Sequence, residues 1–561
     1  MPIFKSVKYP AMKKALVIIL LSIVLSLSGV FLLGEWWVES LLGNIINSNS
    51  NRAYNITYQS LDLHTLFKGV TLKSAKITPL NVSDTVIVIN GTVDHIELSG
   101  VKWRELLFAR KAEIAELALI QPEFEVLFVN RNHSDKKTES SGGFRDLFGD
   151  ILTRGVVHNF RLERASVTAR DKSDSLLVAR IMNYNLLATE IQTDSIRAKN
   201  MIPFKVGSIH SSLDSAFYRI NEYTELKSGH FEYNALNSEL RLNDISLMFT
   251  RDLIEVSDLV GKQVDLIQVE VKQLLFRQLD AQSSLYNDLD IRAGTMEIDG
   301  LILRDFRDKN KLRPPDIEKP MFSGMVAAIP IPIKVDSIII SDSEIHYSEL
   351  ASNKPDAGTV SFSAVNGTIV NVTNIPQFQE QFQTYTASVQ ANLNQDAKLY
   401  LNLDVPYQEE RFNLHTTIEK FDIGILSPTL GPLTGIEISS GTAHKFDLKM
   451  NAGSTESSNI LTFDYQDLTL EIMKDDQNQE EKKGLLSLIA NSAIRHNNMP
   501  DNNNYRVAEY QALRNIYRGP FNFWWETIKE GMLHIFPTGI SRILMGNQEK
   551  QPQKDEKKQG T

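Results

Sequence analysis

The chain has 561 residues, 42% of them hydrophobic, which is enough to bury a sizeable core and excludes disorder throughout. Its formal net charge of -10 leaves no broad cationic field of the kind that draws nucleic acid or anionic lipid to a whole surface. There are no cysteines, so a disulfide framework, thiol chemistry and a lipidated cysteine are all excluded.

Residues 1–34 read as a basic cytoplasmic start and a transmembrane anchor. Ala15 to Leu33 is an uncharged run of about nineteen residues, which as a helix spans roughly 28 Å, close to the hydrocarbon thickness of a bilayer. Lys5, Lys8, Lys13 and Lys14 precede it and Glu35 and Glu39 follow, an asymmetry that keeps the N-terminus cytoplasmic and places the bulk of the chain outside. Trp36 and Trp37 fall where a membrane-interface aromatic belt lies. A cleaved signal peptide is the competing reading. Its best site, Ser26-Leu27-Ser28, lies inside the apolar run and would leave the greasy terminus Gly29 to Leu33, so a retained anchor fits better.

After the anchor, period-two alternation over short runs, broken by Asn, Asp, Gly and Ser, predicts antiparallel strands and turns. The clearest runs are Ala387, Val389, Ala391 and Leu393, then Leu399, Leu401, Leu403 and Val405, with a hairpin turn at Asn394 to Asp396. Phe412, Leu414, Thr416 and Ile418 repeat the pattern, as do Phe446, Leu448 and Met450, and Leu461, Phe463 and Tyr465. Polar breaks at Ser134 to Gly143, Arg304 to Pro315 and Asp475 to Gly484 divide the exterior into β blocks over 35–133, 144–310 and 327–474. A helical, aromatic-rich block follows over 485–545, and then a polar tail over 546–561 that is too poor in apolar surface to offset its ordering entropy. Val167 to Lys172 echoes Leu303 to Lys309, a faint internal repeat.

In the last block, Leu485 to Ile494, Arg506 to Tyr517 and Phe521 to Met532 carry helical spacing. The cluster of Phe521, Phe523, Trp524, Trp525, Ile528, Met532 and Ile535 reads either as a membrane-interface or partner-docking surface or as a cap on the end of a sheet core. The expected fold is therefore mainly β: a transmembrane helix, an elongated antiparallel sheet and short C-terminal helices.

Chemistry is scarce. Gly261-Lys262 lacks the glycine spacing of a phosphate loop, and no glycine triad follows a strand. The eleven histidines are scattered singly from His64 to His534, without zinc-ligand spacing. Asp288 and Asp290 open like a calcium loop, but Arg292 occupies the next ligand position. No serine sits in a nucleophile elbow. Catalytic residues, metals and cofactors are not expected, and neither is a nucleic-acid partner.

Three stretches then carry a resemblance: Tyr54 to Leu72, Ile96-Glu97-Leu98-Ser99-Gly100-Val101, and Ala112 to Pro122. Together with the anchor they resemble AsmA-like proteins of bacterial envelopes. Arg307-Asp308-Lys309, Val335 to Glu349 and Gly358 to Asn374, then Leu485 to Asn491, Ile494-Arg495, Tyr517-Arg518-Gly519-Pro520 and Phe523-Trp524-Trp525, resemble a related bacterial domain of unknown function. The resemblance implies an inner-membrane protein, single-pass, with its bulk in the periplasm and a taco-like β groove, in a superfamily linked to lipid transport and outer-membrane homeostasis. Leu399, Leu401, Leu403, Val405, Leu414, Ile418, Phe446 and Leu448 are the candidate groove lining, with phospholipid or another envelope lipid as the partner. The alternation serves closed sandwiches equally well. In that case the protein is an anchored scaffold or assembly factor that meets other envelope proteins through sheet edges or the aromatic block.

Overall fold

Among the described residues the alternating runs fold as one sheet of 23 strands, joined essentially in chain order. The computed structural model describes residues 54–63, 69–79, 88–102, 112–128, 155–191, 206–280, 290–472 and 494–537. Strands β1 (Tyr54–Thr57) and β2 (Ser60–Leu63) pair with β3 (Gly69–Pro79), followed antiparallel by β4 (Val88–Ser99) and β5 (Ala112–Phe128). Strand β6 (Gly155–Asp171) joins β5 in parallel and β7 (Leu177–Thr189) returns antiparallel. Four short strands, β8 (Ser208–Leu213), β9 (Ser215–Asn221), β10 (Thr224–Ser228) and β11 (Phe231–Asn234), carry the ladder to β12 (Glu239–Phe249).

Strands β13 (Leu266–Arg277) and β14 (Ile291–Asp308) continue antiparallel, and β15 (Ile333–Leu350) joins β14 in parallel. A meander follows through β16 (Ala357–Thr373), β17 (Thr384–Leu393), β18 (Ala397–Pro406) and β19 (Phe412–Ile418). Both β19 and the two-residue β20 (Phe421–Asp422) pair with β21 (Ile436–Ala452), which hands on to β22 (Glu456–Ile472) and β23 (Ala508–Leu513). The helices are short: α1 (Leu253–Val260), α2 (Phe322–Ala327), α3 (Pro376–Phe382), α4 (Ser427–Thr434) and α5 (Pro520–Ile535), with a 3-10 turn over Ile423–Leu426.

Several expectations change here. The sheet is mixed, because the β5–β6 and β14–β15 pairs are parallel. A parallel step needs a connection long enough to carry the chain back to the same end, as residues 309–332 with α2 do between β14 and β15. The polar stretch Arg304 to Pro315 begins inside β14, whose last residue is Asp308, so the sheet runs on across it into β15. Arg506 to Tyr517 is not helical. Its centre is β23, where Ala508, Tyr510 and Ala512 are buried and Glu509, Gln511 and Leu513 are exposed, a period of two that pairing with β22 enforces. The helix expected at Phe521 to Met532 is α5, and the turn at Asn394 to Asp396 forms. The anchor at 15–33, Trp36 and Trp37, the breaks at 134–143 and 475–484, the helix at 485–493 and the tail lie outside the described residues. No helix among the described residues is long and apolar enough to cross a membrane.

A line of bulges crosses the sheet and sets which face each side chain takes. Gln121 (φ 48°), Arg164 (φ 52°) and Asn183 (φ 51°) mark it in β5, β6 and β7; Asp244 (φ 51°), Gly300 (φ 63°), Asp342 (φ 46°) and Ala364 (φ 48°) mark it in β12, β14, β15 and β16. Each inserts one residue and reverses the parity of the alternation. Buried residues accordingly stand three apart across it: Val93 and Ile96, Leu119 and Pro122, Leu162 and Ala165, Ile181 and Tyr184.

An asparagine clasps the seam twice in the same way. Asn185 Oδ1 accepts the Arg164 N–H at 2.9 Å while its Nδ2 donates to the Asn183 carbonyl at 2.9 Å. Asn366 repeats this with the Asp342 N–H at 3.2 Å and the Ala364 carbonyl at 2.8 Å. The internal repeat thus matches β6 with β15, not with β14 as the Val167 and Leu303 echo suggests. What that echo does capture is local: Asp171 and Asp308 each close a strand by accepting an N–H two residues on, from Ser173 and Asn310, both at 2.8 Å.

Two large buried clusters hold the sheet, one within β3–β9 and one within β17–β23. Over the second, α5 presents Phe523, Thr527, Gly531 and Ile535 at four-residue spacing. Gly531 is required there, since a Cβ would meet Leu461 Cδ2 and the Tyr510 hydroxyl at 2.6 Å. That hydroxyl donates to the Thr527 carbonyl at 2.6 Å. Replacing Asn366 with alanine is expected to destabilise the protein by about 1–2 kcal/mol in urea titrations. Asn413→Ala, on an exposed outward position, should move it by less than about 0.5 kcal/mol.

Candidate functional site

The ladder registers stack apolar side chains into files that cross strand after strand on one face. One file runs Leu240, Phe276, Met296, Ile338, Ile369, Ala387, Leu403, Leu414 and Met450. The next runs Leu242, Leu274, Ile298, Ile340, Gly367, Val389, Leu401, Thr416, Leu448 and Leu461. Beyond the bulge line, Leu247, Val269, Leu303, Ile345 and Phe362 form a third file.

The eight residues expected to line a groove therefore share one face. Leu399, Leu403, Val405, Leu414, Ile418, Phe446 and Leu448 are buried in the cluster under α5 and α2, together with Phe322, Phe412 and Phe523. Leu401 is half-buried and packs against the same cluster.

The same files lose their cover toward β12–β16. Leu242, Leu274, Ile298 and Ile340, and Leu247, Val269, Leu303 and Ile345, are each only partly buried, and none is a member of a buried cluster. The opposite face of these strands is ionic. There Arg304 pairs with Glu270 at 2.5 Å, Arg277 with Glu297 at 2.7 Å and Lys272 with Asp299 at 3.4 Å. The result is an amphipathic sheet with a half-open apolar face roughly 20 Å long and 20 Å wide, from the strand rise and spacing. Farther along, the outward side of β16–β23 carries an open trough of about 1150 Å³ whose accessible lining is mostly apolar, where the exposed Ile460 stands among Ser388, Asn402, Asn413 and Lys449.

The apolar face ends in charge. On β14 the alternation Leu301, Leu303 continues as Asp305 and Arg307, and the parallel register sets Tyr347 and Glu349 of β15 beside them. Asp265, just before β13, pairs with Arg307 at 2.6 Å. Tyr347 donates to Glu349 at 3.0 Å, and Lys309 pairs with Glu349 at 2.6 Å.

Asp305 is 3% exposed, and neither of its carboxylate oxygens has a hydrogen-bond partner; the Arg307 Nε also lacks one. Burial, and then the neighbouring Asp265 charge, push the Asp305 carboxyl above the ordinary carboxylate range, with Arg307 opposing. Burial raises Asp265 as well, against the pull of Arg307. Sequence reasoning missed this end because Arg304 to Pro315 looks like a polar linker. The available signal was that Asp305 and Arg307 keep the period-two phase of Leu301 and Leu303. Among the described residues, no group of three or more metal-ligating side chains comes together.

No protein-family model matches the chain, and no curated protein matches it.

An acid whose folded pKa lies above its unfolded value contributes stability at low pH that is lost as pH rises above about 4, the ordinary carboxylate value. The stability of the wild type, from thermal unfolding, is therefore expected to fall from pH about 5 to about 8 by on the order of 1–3 kcal/mol more than that of Asp305→Asn. Equal slopes for the two proteins would show that Asp305 does not titrate in this range.

Proposed function

We propose that this chain is an AsmA-like protein, anchored in a bacterial inner membrane with its bulk in the periplasm, that holds lipid acyl chains along the apolar face of β12–β16 in envelope homeostasis. The observation that carries the reading is that a continuous apolar face, buried under α5 and α2 at one end, is left half-open over β12–β16, while the reverse face is ionic. Acyl chains gain about 0.8 kcal/mol for each methylene they bury, so a dozen methylenes suffice to hold a phospholipid whose headgroup stays near solvent. The groove lining moves accordingly. The residues of β18–β21 expected to line it are buried in the core, and the lining proposed instead is the continuation of their file at Ile298 and Ile340, together with Leu303 and Ile345 of the neighbouring file beyond the bulge line.

Native mass spectrometry of the full-length protein purified from membranes tests this. Phospholipid should be retained by the wild type and lost, by about tenfold or more, in Ile298→Glu, which remains folded because the site is partly exposed and lies outside the buried clusters. Leu448→Asp, in the closed core, should instead cost more than about 3 kcal/mol and unfold the C-terminal part of the sheet. A lipid-free wild type would overturn the proposal and favour the anchored scaffold, for which the exposed Trp525 of α5 offers a contact.

A further inference from the structure

The charged end of the apolar face is built against the usual economy of a protein interior. A carboxyl group that is nine-tenths or more buried ordinarily has hydrogen-bond partners, because an unpaired buried polar group is costly. Asp305 has none, although Arg307 lies two residues away on the same face and Asp265 shares that guanidinium. Arg518 is part-buried; burial first, and then the charges of Arg307 and Arg313, hold its guanidinium below its ordinary range, with Glu349 and Tyr347 opposing. An acid pair short of donors therefore adjoins guanidinium groups that repel one another. Asp305 lies one same-face step along β14 from Leu303, and Tyr347 beside it one step from Ile345; Leu303 and Ile345 are partly open.

We propose that Asp305, with Asp265 and Arg307 beside it, receives the primary ammonium group of an amine-bearing phospholipid whose acyl chains lie along β12–β16. The inference rests on the acyl-binding reading above and adds the headgroup class to it. A primary ammonium brings three N–H donors and a positive charge to a carboxyl group that lacks such partners, so that the carboxyl releases its proton to solvent and accepts from the ammonium, and the phosphate of the same headgroup meets the guanidiniums of Arg307 and Arg518. A quaternary ammonium brings no N–H donor, and a glycerol headgroup brings no positive charge.

The test uses the full-length protein in detergent, stripped of lipid and offered phosphatidylethanolamine, phosphatidylcholine or phosphatidylglycerol with identical acyl chains, read by native mass spectrometry. The wild type should retain phosphatidylethanolamine about tenfold over each of the others, the ratio that one charge-assisted hydrogen bond supplies. Asp305→Asn should bring that ratio to about one while circular dichroism shows it folded; should it fail to fold, Asp265→Asn and the wild-type preference give the same reading. Equal retention of the three lipids by the wild type would overturn the headgroup assignment and leave the acyl-binding reading standing. Retention of none would remove both. Displacement of the lipid by millimolar free ethanolamine would assign the site to a soluble amine and overturn the lipid assignment.

Discussion

A slip of one residue in a strand turns every later side chain to the opposite face. This sheet uses that fact systematically. At Asp244, Gly300, Asp342 and Ala364 the backbone enters the left-handed region, and the side chains on either side of the insertion, such as Ile298 and Leu301, then point the same way. Without the shared seam, Leu301 and Leu303 would stand on the face of Glu297 and Asp299, and the apolar files would stop at the middle of the sheet. The left-handed conformation costs a non-glycine residue on the order of 1–2 kcal/mol. The clasps by Asn185 and Asn366, which satisfy backbone groups at the irregular step, offset part of that cost.

Once the files are continuous, their fate depends on what covers them. Helix α5 closes one end because Gly531 lets its backbone sit against Leu461 and Tyr510, so Leu403, Leu414 and Leu448 become core. Over β12–β16 the same chemistry is only half covered, and partly exposed leucines and isoleucines stand in rows that an apolar ligand covers more fully than water does. At the far end the rows turn into Asp305 and Arg307 without a change of phase, so a single strand, β14, carries both an apolar track and a polar terminus.

Much of this was legible in the sequence. Alternation at Leu399 to Val405 and at Phe412 to Ile418 gives the strands, their inward residues and the turn at Asn394, because those strands are regular and half-buried. The alternation gives a face and leaves its cover open, since Leu448 in a groove and Leu448 under a helix obey the same period. The strands with insertions were harder: a run that changes parity at Gly300 or Asp342 imitates irregular structure, and Asp305 and Arg307 then pass for a linker. The segment Arg506 to Tyr517 shows the opposite error, where helical spacing among Val507, Tyr510 and Leu513 is overridden by pairing with β22. The parallel steps at β5–β6 and β14–β15 follow from long connections and have no local signature in the strands themselves.

The most direct measurement is photocrosslinking of the full-length protein with a phospholipid that carries a diazirine in its acyl tail, followed by peptide mapping. The expected result is insertion into the peptides that hold Met296 to Leu303 and Ile338 to Ile345, reduced in Ile298→Glu. Labelling confined to α5 and β23, or spread evenly over the ionic face, would contradict an acyl site on β12–β16.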